Sequence, residues 1–176
     1  MMDREITSVA PRDLSDTGPL GAALLALNNA HAQALSWLEP ERLAHLVGQA
    51  FVACRIGQAD AFLLAFDQGA DYDSENFLWF RSRYERFVYV DRIVVAPSMR
   101  GHGYARRLYG DLFERASLAG HDRVVCEVNA NPPNRASDAF HARLEFSEVG
   151  TGVLHGGSKT VRYFSRALSA APRTAP

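Results

Sequence analysis

Residues 87–108 read Phe-Val-Tyr-Val-Asp-Arg-Ile-Val-Val-Ala-Pro-Ser-Met-Arg-Gly-His-Gly-Tyr-Ala-Arg-Arg-Leu. The first half is a strand. Val88, Tyr89, Val90, Ile93, Val94 and Val95 are β-branched or aromatic, and Pro97, which lacks an N–H, ends the ladder. Gly101 and Gly103 then permit a tight turn and a close approach of backbone to another molecule. Ala105, Leu108, Tyr109, Leu112, Phe113 and Ala116 recur at the spacing of one helix face, so a helix begins near Tyr104. Strand, glycine turn and helix start together make an anion site from unpaired N–H groups and the helix dipole.

The identity of the anion is narrowed by the fingerprints that fail. The dinucleotide pattern G-x-G-x-x-G is broken at Arg106, and the G-x-x-x-x-G-K-[ST] phosphate loop is absent. What stands there is Arg100-x-x-Gly103-x-Ala105, three residues past the proline of a Val-x-Pro. This resembles the acyl-CoA pyrophosphate loop of the GNAT superfamily of N-acetyltransferases, (Arg/Gln)-x-x-Gly-x-(Gly/Ala). A plain strand–turn–helix connection is the competing reading.

Composition narrows the classes. The chain has 176 residues, 47% hydrophobic and 22% charged, with a formal net charge of −1. That suits one domain with a full core, here taken as 1–168 with a frayed tail at 169–176, and it excludes bulk electrostatic binding to nucleic acid. Cys54 and Cys126 sit in apolar runs without ligand spacing and read as buried free thiols of a reducing compartment. No metal spacing occurs among the histidines. The start of the chain has no signal-peptide pattern, and no apolar run is long enough for a bilayer, so a cytoplasmic location and no membrane partner are expected.

Along the chain, a strand over 6–10 precedes a helix over 20–35, and Pro40 opens a second helix to about Gln49. Strands at 51–56 and 61–66 flank a hairpin-length turn. Trp37 reads as core packing. Residues 67–86 form a long connection mixing acids with Phe77, Trp79, Phe80 and Tyr84. It is either a lid that binds a cationic amine or a surface loop whose aromatics anchor it. A strand over 123–129, a helix over 135–144 and strands over 146–152 and 160–167 complete the chain. The expected fold class is α/β, an α+β mixed sheet of about seven strands with four helices.

The late helix strengthens the resemblance. Asn134, Ser137, Phe140 and Phe146 match the superfamily pattern of Asn, small residue, Phe/Leu, Tyr and Gly-Phe, while His141 replaces the Tyr and Glu145 the Gly. The resemblance implies acetyl transfer from acetyl-CoA, as cosubstrate, to a primary amine on a small molecule or peptide. A homodimer is left open, and neither nucleic acid nor metal is involved. It places the coenzyme in a gap between 88–95 and 123–129. Backbone groups of Ile93, Val94 and Val95 then pair with pantetheine. Arg100, Gly101, His102, Gly103, Tyr104, Ala105 and Arg106 hold the pyrophosphate, Arg107 adds charge, and Asn134 and Ser137 line the coenzyme. Asn28, Asn29, His31, Trp79 and Tyr89 are the acceptor-side candidates. Asp91 and Glu127 are rival general bases, although Asp91 also reads as an ion-pair partner of Arg92 or Arg123. His141 is the candidate acid, or else a packed helix residue. The competing functions are a non-catalytic acyl-CoA-binding module and an interaction domain built on the aromatics of 77–87.

Overall fold

The computed structural model describes residues 4–14 and 18–169. Seven strands form one mixed sheet in the order β1-β2-β3-β4-β5-β7-β6. They are β1 (Ile6–Ser8), β2 (Val52–Ile56), β3 (Ala61–Asp67), β4 (Phe87–Val95), β5 (Arg123–Asn131), β6 (Ser147–Leu154) and β7 (Lys159–Ala167). Among the described residues there are six α-helices rather than four: α1 (Pro19–Asn29), α2 (Ala32–Leu35), α3 (Pro40–Gln49), α4 (Glu75–Arg81), α5 (Tyr104–Leu118) and α6 (Arg135–Arg143). No helix among them is long and apolar enough to cross a membrane. The turn residues 15–17 and most of the expected tail, 170–176, lie outside the described residues.

By contacts the chain divides into two units. The first holds residues up to Phe66 together with Val90–Leu112. Here β1, β2 and β3 form an antiparallel meander, and Ile56 faces Ala61 across the tight turn. Every residue of β3 from Ala61 to Phe66 is buried, as expected of a strand covered on both faces. Leu24, Leu27, Leu43, Leu46 and Val47 bury the inner faces of α1 and α3. Pro19 and Pro40 each stand in the first helical turn, where a missing N–H costs nothing.

The second unit holds Asp67–Tyr89 and the chain from Phe113 onward. In it β4 pairs in parallel with β5 from Phe87↔Arg123 to Tyr89↔Val125. β7 runs antiparallel between β5 and β6. The connection at 67–86 is not a structureless loop, because α4 occupies its middle and Phe77 and Phe80 are fully buried. Those rings pack with Phe87 and Tyr89 at centroid distances of 5.7 to 6.4 Å. The aromatics therefore anchor the segment, and its acids Asp71, Asp73 and Glu75 are exposed.

Candidate functional site

The loop after β4 has the geometry an anion needs. Pro97–Met99 forms one 3₁₀ turn, and Gly101 and Gly103 adopt φ of +82° and +75°. That is left-handed backbone, which glycine enters without steric cost. A Cβ at either position would stand in open space, so the room beside the backbone is empty of protein. α5 starts at Tyr104, and the N–H groups of its first turn have no intrahelical acceptor. His102 turns its ring back onto the loop, with Nδ1 at 3.1 Å from the carbonyls of Met99 and Arg100. Arg100 donates to Nε2 of His31 at 3.2 Å, while Nδ1 of His31 donates to the Leu27 carbonyl at 3.0 Å. This joins an expected loop residue to an expected acceptor residue. Arg107 instead donates to the Arg4 carbonyl at 2.7 Å.

Asp91 is held in a buried polar chain. Nε of Arg92 lies 2.6 Å from its carboxylate, with both side chains 5% exposed. Nη1 of Arg92 donates to Oδ1 of fully buried Asn28 at 2.8 Å. Nδ2 of Asn28 donates to Oδ1 of Asn29 and to the Ser36 carbonyl. Asn29 in turn both donates to the Leu38 carbonyl and accepts from the Leu38 N–H, each at 2.9 Å. Asn28 and Asn29 thus fix the chain that leaves α1. Their side chains account for the end of the helix at Asn29, where periodicity alone predicts continuation to Leu35.

Glu127 is placed differently. It is half-buried on β5, and its Oε1 accepts from the Tyr89 hydroxyl at 3.1 Å. It faces Tyr163 across the β5–β7 ladder. Tyr163 donates to Oδ1 of Asn76 on α4 at 3.0 Å and stacks on Trp79 at 4.1 Å. Burial, then the charges of Glu127 and Glu75, push the Tyr163 hydroxyl above its ordinary pKa, so it remains a donor. Trp79 is half-buried, with the Arg83 guanidinium 3.8 Å from its ring. A Cβ at Gly150 would collide with the Trp79 ring, and one at Gly152 with the Tyr163 hydroxyl. Tyr163 and Asn76 escape a reading of the sequence, because nothing in the local pattern of β7 or α4 marks a residue whose partner lies 87 positions away.

His141 is buried to 4% exposure. Its Nδ1 donates to the Ser137 carbonyl at 2.8 Å, and its ring meets Phe140, Phe146 and Phe164 at 5.2 to 6.4 Å. Burial lowers its pKa, against a smaller opposing effect of the Ser137 carbonyl bond and the Asp138 charge. The ring is packed among aromatic side chains, with Nδ1 bonded to a carbonyl of its own helix. Cys126 and Phe164 pair on the strand face that His141 covers, whereas Glu127 and Tyr163 pair on the opposite face. Asn134 caps α6 by accepting from the Ser137 N–H at 3.1 Å, and the Ser137 hydroxyl lies 3.2 Å from His141. The helix keeps a polar stripe, but its atoms are turned on one another.

A pH series tests the state of His141. Its unfolded value is the ordinary 6.5, and its folded value lies lower. The unfolded chain therefore binds the proton first, and stability is lost as pH falls through 6.5 toward the folded value. The thermal midpoint should fall between pH 7 and pH 5, and His141→Gln should flatten part of that decline. His121, also lowered chiefly by burial, keeps the rest. An identical slope in the variant would mean that His141 is solvated.

The loop and the late helix sit within the stretch that the model of the acetyltransferase (GNAT) family matches, residues 33–146. Similar solved structures carry the same fold. The ribosomal-protein-S18-alanine N-acetyltransferase of Escherichia coli is 17% identical, with 99% of each chain covered and a TM-score of 0.68. A GNAT superfamily phosphinothricin acetyltransferase of Sinorhizobium meliloti, in complex with acetyl-CoA, is 16% identical, with 99% and 94% covered and a TM-score of 0.67. An N-acetyltransferase of Staphylococcus aureus Mu50 is 19% identical, with 95% and 99% covered and a TM-score of 0.64. No curated protein gives a significant match. The family match spans more than half of the sequence, and the chain belongs to the GNAT family of acetyltransferases.

Proposed function

We propose that the protein is an acetyl-CoA-dependent N-acetyltransferase whose acceptor, a primary amine, attacks the thioester directly in a ternary complex. The observation that carries this reading is the loop at Gly101 and Gly103, where positive φ and empty space leave backbone N–H groups open to a pyrophosphate. The family membership and an acetyl-CoA-bound structural relative support the choice of anion. Arg100 and Arg106 add charge, and Ile93, Val94 and Val95, which lie beyond the last β4–β5 pair, offer backbone groups to pantetheine.

Bound acetyl-CoA would supply an acyl group on a leaving thiolate. Glu127, steadied by Tyr89, takes the amine proton through a water molecule. The amine nitrogen bonds to the carbonyl carbon, the C–S bond breaks, and the thiolate gains a proton from solvent or Tyr89. A thiolate leaves a tetrahedral centre far more readily than an alkoxide or an amide anion, so the step needs little acid help. His141→Gln should accordingly keep kcat within about threefold, short of the hundredfold that a positioned acid contributes at the least. A larger loss of kcat would return His141 to the acid role.

The reading as a silent acyl-CoA-binding module predicts no thiol release with any amine. The reading as an interaction domain loses its basis, because Phe77, Phe80 and Phe87 are fully buried. Calorimetry with acetyl-CoA and steady-state thiol release test the proposal. Gly103→Ala should weaken acetyl-CoA binding by about tenfold or more, since its Cβ enters the open space that lets another molecule approach the backbone. Its stability cost should stay near the ~1–2 kcal/mol of a left-handed alanine. A β-branched replacement would confound the two effects at φ +75°. Unchanged affinity would remove the loop from the coenzyme site.

A further inference from the structure

The sequence alone places Trp37 in the core, yet it is 64% exposed. Its display is built. Ser36 takes φ of +70°, which a non-glycine residue adopts only under constraint, and its carbonyl is gripped by Asn28. Leu38 is buried, with both backbone groups paired to Asn29. Between and beyond these clamps, alternation turns Trp37 and Glu39 outward together. Glu39 is the residue before the first turn of α3, where a side chain ordinarily caps the helix. Here it makes no cap, and its Oε1 instead accepts from the Trp37 indole N–H at 2.9 Å.

We infer that Trp37 and Glu39 form a recognition site for an alkylammonium group of the acceptor, separate from the amine that reacts. An exposed indole face attracts a cation, and an exposed carboxylate beside it supplies the countercharge. The clamps lower the entropy lost on binding, because the pair is already ordered. The pair and the glycine loop belong to the same unit, in which His31 of the preceding segment meets Arg100 of the loop. The inference rests on the acetyltransferase reading only for the chemistry after binding, and it names the substrate class as a diamine or polyamine. The reacting amine must be neutral to attack, so the recognised cation is a second one.

The probe is 1,4-diaminobutane, with 1,4-butanediol as an uncharged match in length, each titrated into the full chain. The chain has two tryptophans, so two indole N–H signals report by NMR. Trp37→Ala assigns them by deleting one. The diamine should move the Trp37 signal saturably and the diol should not. Glu39→Gln keeps an acceptor for the indole N–H but removes the charge, and should weaken the diamine response severalfold. A stationary Trp37 signal, an equal response to the diol, or an unchanged response in Glu39→Gln would each overturn the inference. Calorimetry with acetyl-CoA on the same sample tests the acyltransferase reading separately, so one can fail while the other stands.

Discussion

Glu127→Gln is expected to lower kcat by about a hundredfold to ten-thousandfold, the range in which a positioned base contributes. Acetyl-CoA affinity should not change, because the proposed coenzyme contacts are backbone groups of β4 and the glycine loop. Two carboxylates compete for the role of base, and their surroundings differ. Asp91 has a guanidinium at 2.6 Å, so its charge is already answered by a neighbouring side chain. Glu127 accepts a hydrogen bond from the Tyr89 hydroxyl at 3.1 Å, which steadies the carboxylate. The amide introduced by Glu127→Gln keeps an acceptor for Tyr89 and nearly the same volume, so the fold should be unaffected. Thiol release from acetyl-CoA with 1,4-diaminobutane measures the change. Retention of kcat within about tenfold, well short of what a positioned base supplies, would exclude Glu127 from that role.

Much of the scaffold was legible because its signals are local. Pro40 and the spacing of Leu43, Leu46 and Val47 predict α3, and the structure gives Pro40–Gln49. The β-branched run, the proline and the two glycines predict β4, the loop and α5. Where reading failed, the deciding partner was distant. Helix periodicity runs on past Asn29, yet α1 ends there, where Asn28 and Asn29 hold the backbone of Ser36 and Leu38 and Asn28 also meets Arg92, 64 positions later. The segment 67–86 looks like a loop in sequence, but α4 forms there because Phe77 and Phe80 find Phe87, Tyr89 and Tyr163. Trp37 carries no mark of exposure in its own sequence, since the clamps that display it come from α1. The site divides in the same way. The anion loop is written in consecutive residues, whereas the environments that separate Asp91 from Glu127, and that pack His141 among Phe140, Phe146 and Phe164, arise only when strands and helices meet.

The largest stability effect should come from Arg92→Met, at about 3–5 kcal/mol, the usual cost of removing one partner from a buried ion pair. Met fills a similar volume, so the loss reflects charge and hydrogen bonding rather than a cavity. The guanidinium serves two groups at once, the Asp91 carboxylate and the Asn28 amide oxygen. Its removal takes a cation from a carboxylate 5% exposed and a donor from a fully buried amide. The disturbance should then pass to Ser36, whose carbonyl the same amide holds, and so to the displayed Trp37. Urea unfolding measures the first effect, and the Trp37 indole signal the second. Asp91→Asn separates structure from chemistry. If Asp91 is an ion-pair residue, Asp91→Asn and Arg92→Met should be strongly non-additive, with a coupling of about 0.5–3 kcal/mol as for residues in direct contact. Turnover at saturating acetyl-CoA should then fall far less than in Glu127→Gln. If Asp91→Asn instead abolishes turnover while stability is kept and the two substitutions add, Asp91 is the base and Arg92 its modulator.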